Sequence, residues 1–295
     1  MSVLVCDSNG ELWYTRCKDL GVDFISMPYL IGGQEYYYDL GEKTDFKKFY
    51  NDVKNGEIPK TMALNPEDYK EFFTPYFEKG EDVIYVSFSH AMSGTFNQLD
   101  KALAELKEIY PERTCTVFNT NSISLGAGIH TEAVAKLKNE GATDEEVLAF
   151  LKTFTNRINL FFAVDDLMHL KRGGRLSGFS AVAGTVLGIK PILSVDEKGA
   201  LKVLEKVKGR RTVIKTLADK VIKRLTGTEY PVYVIHADCE EDGQTLVDAI
   251  KEARPEADVR LQMVGPVIGS HCGAGTIGVI FVGDERPVPL EGAND

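Results

Sequence analysis

The residues best suited to chemistry in this chain lie at 87–95, which read Ser-Phe-Ser-His-Ala-Met-Ser-Gly-Thr. They join an apolar, strand-like run to an amphipathic segment that begins at Phe96 and has helical spacing. A hydroxyl-rich turn at the start of a helix exposes backbone amides, and the helix dipole favours a negative charge there. We therefore predict an anion site in which Ser93, Gly94 and Thr95 supply the donors.

Ser93 could instead act as a nucleophile, with His271 as its base. The nucleophile elbow of α/β-hydrolases reads G-x-S-x-G, whereas Ser93 lies in Ala-Met-Ser-Gly-Thr, and a serine at a helix start is most often a cap. His271 lies in a glycine-rich segment at 265–273, where the backbone can approach a ligand closely, although a lone histidine is as often an ordinary residue. A serine-dependent lipid esterase or thioesterase stays open as the alternative, as does a sensor of a small polar anion.

Basic residues cluster in the second half of an otherwise acidic chain. Arg172 and Arg175 belong to the glycine-rich segment Lys-Arg-Gly-Gly-Arg, and Lys202 and Arg210 follow. Solvated loop charge is the common explanation for such residues. Their clustering against a net charge of −10 favours a surface that binds an acidic or phosphate-bearing partner.

The composition excludes several classes of protein. A net charge of −10 argues against nonspecific nucleic-acid binding, and we expect no nucleic-acid partner. The chain has no apparent signal sequence or bilayer-spanning run, and its five scattered cysteines are typical of reduced thiols, so we expect a cytoplasmic protein. No histidine and carboxylate cluster has metal-ligand spacing, and the G-x-G-x-x-G match at 273–278 precedes a strand-like run, so we expect neither a metal nor a dinucleotide cofactor.

Strand-like and helix-like segments alternate along the chain, which predicts an α/β fold. The length of 295 residues favours two lobes, which we place at 1–164 and 165–295, with a ligand cleft between them. The predicted strands lie at 3–6, 83–88, 115–118, 160–164, 232–236, 259–263 and 278–282, with a hairpin at 191–207. The predicted helices lie at 125–139, 210–225 and 243–252, with two more that begin near Phe96 and after the Thr143 cap.

Short motifs spread over the whole chain together resemble the DegV family of fatty-acid-binding proteins, which includes the carrier subunit of bacterial fatty acid kinase. The motifs are Asp7-Ser8, Ser93-Gly94-Thr95, Ser124-Leu125-Gly126-Ala127-Gly128, the segment 164–177 with Lys171-Arg172-Gly173-Gly174-Arg175, Lys190-Pro191-Ile192-Leu193, Gly209-Arg210-Arg211 and Gly265-Pro266-Val267-Ile268-Gly269. The chain departs from the family pattern after Thr61 and at Asn119-Thr120.

The resemblance implies a two-lobed α/β fold, in which each lobe is a sheet with helices packed on it. It also implies an acyl-chain tunnel between or within the lobes. Thr61 and Ser93 match the hydroxyls that bind the fatty-acid carboxylate in the family, and His271 matches a histidine near that headgroup. The implied function is noncatalytic: a long-chain fatty acid, with no cofactor, is presented to a separate kinase that makes the acyl phosphate. We also allow a transient contact with a membrane surface.

Overall fold

Strands and helices alternate along the chain, and the predicted α/β class is confirmed. The computed structural model describes residues 2–175 and 188–287. The strands are β1 Val3–Asp7, β2 Asp23–Ile25, β3 Met27–Ile31, β4 Gln34–Tyr38, β5 Lys60–Thr61, β6 Val83–Ser87, β7 Cys115–Asn119, β8 Ile158–Ala163, β9 Ile189–Val195, β10 Leu201–Lys208, β11 Val232–His236, β12 Val259–Met263 and β13 Ile277–Val282. The helices are α1 Tyr14–Leu20, α2 Phe46–Lys54, α3 Pro66–Glu78, α4 Phe96–Ile109, α5 Leu125–Asn139, α6 Asp144–Phe154, α7 Leu167–Arg172, α8 Arg210–Arg224, α9 Glu240–Ala253 and α10 Pro266–Cys272.

The first lobe contains a parallel sheet with the strand order β2-β1-β6-β7. Strand β6 is buried along its whole length, which explains its continuous apolar sequence, because a parallel strand is covered on both faces. Ligands of such sheets bind beyond the carboxyl ends of the strands. The loop that contains Ser93 leaves β6 at that end of the sheet.

The second lobe contains a six-stranded mixed sheet with the order β10-β9-β8-β13-β11-β12. Successive side chains of β8 point to opposite faces, as the two-residue repeat of a strand requires. Leu160 and Phe162 belong to the core that is shared with the first lobe, whereas Phe161 and Ala163 belong to the core under α8 and α9. One face of this sheet therefore closes against the first lobe.

The lobe boundary near residue 164 stays a prediction. Strand β8 ends at Ala163 and pairs with β13, so the second sheet already includes a strand that precedes the predicted boundary. Helices α5 and α6 connect the last strand of the first sheet to β8.

Several short elements have no counterpart in the prediction. The three-stranded antiparallel sheet β4-β3-β5 and helices α1, α2 and α3 fill the region before β6. Helix α9 begins at Glu240, three residues before the predicted start. Helices α7 and α10 were not predicted. They overlap the glycine-rich segments at 171–175 and 265–273, although Pro266 in the first turn of α10 is a typical helix-start residue. The stretch that follows Arg175, residues 176–187, lies outside the described residues.

Helix α10 packs closely on the first lobe because two of its glycines make room for tyrosine rings. A Cβ atom added at Gly265 would lie 2.3 Å from Cζ of Tyr38, and one added at Gly269 would lie 2.7 Å from the hydroxyl of Tyr50. Both tyrosines are fully buried. The close approach that we expected to serve a ligand serves the packing of the two lobes at these glycines.

We predict that Gly265→Ala destabilises the protein by about 1–3 kcal/mol, which is the usual range for overpacking a core. The backbone of Gly265 has a φ of −72°, which alanine adopts without strain, so the clash with Tyr38 is the main expected cost, with a smaller one from alanine at the N-cap of α10. Urea unfolding measures the change. Gly10→Ala is the matched control, because its added Cβ would meet no heavy atom closer than 3.5 Å. Equal stability of the two variants would contradict this interpretation of the packing.

Candidate functional site

An apolar cavity lies between the two sheets and contains about 830 Å³ of space outside protein atoms, part of it open to solvent. The apolar wall is built by both lobes: Met27, Met62, Phe88, Met92 and Ile123 from the first, and Leu160, Phe162, Leu170, Leu201, Ile235, Val264, Val267, Ile268 and Cys272 from the second. The tunnel predicted between or within the lobes therefore corresponds to a cavity between them.

Hydroxyl, imidazole and guanidinium groups line the same cavity. Thr61, Ser93, Arg175 and His271 come from four separate segments, and all four contribute to the wall. Thr61 lies on β5, which pairs with β3, and its Oγ1 is 2.9 Å from Nε2 of His271 on α10. The structure thus brings together the two hydroxyls and the histidine that the sequence singled out.

His271 is electrically neutral at physiological pH. Burial, and to a smaller extent the charge of Arg175, lower the pKa of His271 to about 4. Its Nδ1 is buried and has no hydrogen-bond partner among the described residues. An unpaired buried N–H is costly, so the proton belongs on Nε2, which donates to Thr61. The threonine hydroxyl is then free to donate its own proton to a ligand.

The three residues of the Ser-Gly-Thr turn differ in the groups that they leave available to a ligand. Ser93 is extended and lies three residues before α4, and its Oγ accepts a hydrogen bond from the Thr95 amide at 3.3 Å, which leaves the hydroxyl proton for a ligand. The Thr95 hydroxyl bonds to the Tyr69 hydroxyl and accepts from the Leu64 amide, so protein groups already use it. Gly94 lines a polar pocket next to the apolar cavity. Carboxylate binding by Gly94 and Thr95 stays a prediction.

Two of the basic residues predicted to bind a partner flank this polar end. Arg172 lines an outer pocket with Lys60 and His169, which adjoins Thr61 and His271. Lys202 lines the polar pocket on the Ser93 side. These outer pockets are where a group could approach a ligand held in the cavity.

The other two basic residues lie in places that the sequence did not indicate. Arg175 lines the apolar cavity and both outer pockets, its Nε donates to the Met92 carbonyl at 3.0 Å, and burial lowers its pKa. Arg210 instead donates to Asp242 at 2.8 Å, to the Gly275 carbonyl at 2.6 Å and to Cys239 Sγ. Arg175 is therefore positioned to meet an anionic ligand, while Arg210 is bound within the second lobe.

The geometry does not provide the base that a serine hydrolase needs. Among the described residues, no hydrogen bond joins Ser93 to a histidine, and none joins His271 Nδ1 to an orienting carboxylate. A histidine whose pKa is about 4 is also a weak proton acceptor at neutral pH. The esterase alternative therefore has no support at this site.

The described residues contain neither a metal-ligand cluster nor a membrane-spanning helix. No group of three or more His, Cys, Asp or Glu side chains there could hold a metal ion. No helix in the same part of the chain is long and apolar enough to cross a membrane. All five cysteines are described and free.

A family model for DegV proteins matches residues 2–284. The chain belongs to the DegV family. A DegV domain-containing protein of Clostridium perfringens is 35% identical over 96% of this chain and 98% of its own length. The DegV-family relationship that the sequence motifs predict is thus confirmed.

Solved structures of DegV proteins share the whole fold. A fatty-acid-binding DegV protein from Thermus thermophilus has a TM-score of 0.83 at 26% identity, covering 95% of this chain and 99% of its own. DegV from Bacillus subtilis, also a fatty acid binding protein, has a TM-score of 0.81 at 27% identity over 96% and 99%. The fatty acid kinase B3 protein of Streptococcus pneumoniae, solved with linoleic acid, has a TM-score of 0.80 at 20% identity over 96% and 100%, which shows the fold alone.

We predict that His271 shows no titration midpoint above about pH 5 in a histidine-specific NMR experiment, because burial keeps its imidazole neutral. The neutral His271 ring also contributes to the free energy of unfolding in a way that depends on pH. The contribution is complete above the unfolded pKa of about 6.5 and is lost as the pH falls through about 4. A midpoint near 6.5 for the His271 resonance, assigned with His271→Gln, would contradict the buried neutral state.

Proposed function

We propose that this DegV protein is a noncatalytic carrier that binds one long-chain fatty acid in the cavity between its lobes. The observation that supports the proposal most is the combination of Thr61, Ser93 and Arg175 with walls that are otherwise mainly apolar. Two hydroxyl donors and one cation suit a carboxylate, and the remaining walls suit an alkyl chain. The fatty-acid-binding DegV proteins of similar fold and at least 25% identity support the same ligand class.

The headgroup contacts offset the cost of removing a carboxylate from water. An unpaired buried charge is costly, whereas hydrogen bonds to a charged group contribute about 1.5–3 kcal/mol each. In the proposed complex, the hydroxyl groups of Thr61 and Ser93 donate hydrogen bonds to the carboxylate, and Arg175 supplies the opposite charge. The neutral His271 ring orients the Thr61 hydroxyl by donating to its oxygen.

The alkyl tail provides most of the gross affinity. Burial of about 14 methylenes at ~0.8 kcal/mol each contributes roughly 11 kcal/mol to the free energy of binding. The loss of translational and rotational freedom on association costs about 4–15 kcal/mol and offsets much of this gain. Headgroup variants should therefore weaken binding without emptying the cavity completely.

Extraction of the purified protein with organic solvent, followed by mass spectrometry, tests the ligand class. The expected result is a free long-chain fatty acid in about equimolar amount, or stoichiometric uptake of added palmitate by delipidated protein. A protein that neither retains nor takes up a fatty acid would refute the carrier function. Ester turnover that disappears in Ser93→Ala would instead favour the hydrolase alternative.

We predict that Ser93→Ala and Thr61→Val each weaken palmitate binding about 10- to 100-fold, which corresponds to the loss of one hydrogen bond to a charged group. Isothermal titration measures the change, and Thr153→Ala, an exposed hydroxyl variant on α6, is the control. Hexadecanol has the same tail and a neutral hydroxyl in place of the carboxylate, so its affinity should fall less than that of palmitate in Ser93→Ala. Equal losses for palmitate and hexadecanol would count against headgroup recognition.

We further propose that the carrier presents the carboxylate to a separate ATP-dependent kinase. A carboxylate oxygen forms a bond to the γ-phosphorus of ATP, the bond from that phosphorus to the ADP oxygen breaks, and an acyl phosphate results. The outer pockets beside Thr61 and Ser93 give access to the carboxylate, and Arg172 and Lys202 line them. These cations suit an approaching partner that carries phosphate groups.

We predict that the double variant Arg172→Glu and Lys202→Glu reduces acyl-phosphate formation with the kinase subunit of the same organism about tenfold. Reversed charge slows the encounter of charged partners and leaves a buried ligand site unchanged. Palmitate affinity should stay within about twofold of the original protein. The double variant Lys47→Glu and Lys152→Glu, two exposed charge reversals on α2 and α6, changes the net charge by the same amount and is the control. Unchanged kinase turnover in the double variant would exclude these two residues from the docking surface.

A further inference from the structure

Glu11 is a buried acidic residue that is not among the proposed headgroup contacts. It follows β1 and is 0% exposed, with a φ of +53° that few residues other than glycine adopt. The Ser124 hydroxyl donates to one carboxylate oxygen, and the Gly265 amide donates to the other at 2.5 Å. The side-chain amide of Gln262 donates to the backbone carbonyl of Glu11 at 2.7 Å. A residue of the first lobe thus receives hydrogen bonds from both sides of the cavity.

The two groups bound by the Glu11 carboxylate are the N-caps of two helices. Ser124 precedes α5 and Gly265 precedes α10, and neither uses its own side chain to cap its helix. Helix N-termini carry partial positive charge and unpaired amides, which attract a carboxylate. In a capping box, a glutamate of the same helix accepts from the N-cap amide. Glu11 provides the equivalent bond to Gly265 from another lobe.

These two helix starts form part of the cavity wall. Ser124 itself lines the cavity, and α10 contributes Val267, His271 and Cys272. His271 in turn orients the Thr61 hydroxyl. The position of α10 along its axis therefore determines the donor geometry at the headgroup.

Within the part of the chain that the structure describes, no cation pairs with Glu11. No Lys, Arg or His forms a salt bridge with it among the described residues, and the neighbouring titratable side chains are Tyr38 on β4, Tyr50 on α2 and Cys272 on α10. Burial raises the pKa of all three, so they are uncharged at neutral pH. The hydrogen bonds from Ser124 and Gly265 are thus the contacts that stabilise the Glu11 carboxylate.

We propose that Glu11 is a positioning residue of the fatty-acid site: its carboxyl group fixes the starts of α5 and α10, and thereby places His271 against Thr61. This inference rests on the proposed fatty-acid binding. Tyr50 assists from the same side, because its hydroxyl donates to the Val264 carbonyl at 2.7 Å.

Three variants and a control test the role of Glu11. Glu11→Met keeps the length of the side chain and removes both acceptors. Glu11→Gln keeps one acceptor for Gly265 and offers a donor to the Ser124 oxygen, so it should restore the geometry. Ser124→Ala removes one of the two bonds. Glu132→Met is the control, since Glu132 is an equally buried glutamate that bonds to Arg16 and lies outside the cavity wall.

The readouts are palmitate affinity and the NMR resonance of the His271 ring. We expect Glu11→Met to weaken palmitate binding at least tenfold and to shift the His271 resonance, and Ser124→Ala to cause smaller changes of the same kind. Glu11→Gln should bind within about threefold of the original protein. Glu132→Met should leave both readouts unchanged, even where it lowers the denaturation midpoint.

The pH dependence of stability tests the environment of the Glu11 side chain. Burial raises the pKa of Glu11 to about 7, so its protonation contributes stability that is fully present below about pH 4.5 and is lost as the pH rises through about 7. In Glu11→Gln, stability should therefore fall less between pH 5 and 8 than in the original protein. The proposal is wrong if Ser124→Ala and any folded Glu11→Met leave the His271 resonance and palmitate affinity unchanged, or if Glu132→Met reproduces their losses. Failure of the original protein to bind palmitate would instead refute the carrier function.

Discussion

The hydrogen bond between Thr61 and His271 depends on most of the architecture around it. Its two atoms belong to a two-residue strand of the first lobe and to a seven-residue helix of the second. Neither element is long enough to be stable alone, so their separation of 2.9 Å is set by what packs behind them. Tyr38 and Tyr50 fill the space that Gly265 and Gly269 leave open, and this contact determines how closely the lobes approach.

The sequence predicted many of the elements whose patterns are local, but α3 was missed although the Asn65 capping box and Pro66 at its start are local signals. Strands β6, β8 and β11 are short apolar runs, and α5 and α8 have helical spacing with recognisable ends, so their positions agree with the structure. The small sheet, α7 and α10 were missed for a physical reason. They are short, glycine-flanked or half-exposed, and they are stabilised by packing against other elements more than by their own residue preferences.

At the site, hydroxyl and imidazole side chains were easier to predict than charged ones. Thr61, Ser93 and His271 line one cavity as the family resemblance implies, whereas Arg175 was assigned to a partner-binding surface because it belongs to a cluster of basic residues and charged side chains are mostly exposed. Glu11 gave no signal at all in the sequence, since its partners Ser124 and Gly265 are more than a hundred residues away along the chain. Contacts at such separation depend on the assembled lobes and leave no local pattern.

The cavity wall is made of the same residues as the main core. Phe88, Leu160, Phe162 and Ile235 belong to both, so an alkyl chain bound between them would take the place of core side chains. A ligand that binds only the folded state stabilises it by about 2.7 kcal/mol at a hundred times its dissociation constant. Unfolded chains are removed by cellular proteases, and small differences in stability change the amount of a protein several-fold. The abundance of such a carrier would then follow the supply of its own cargo.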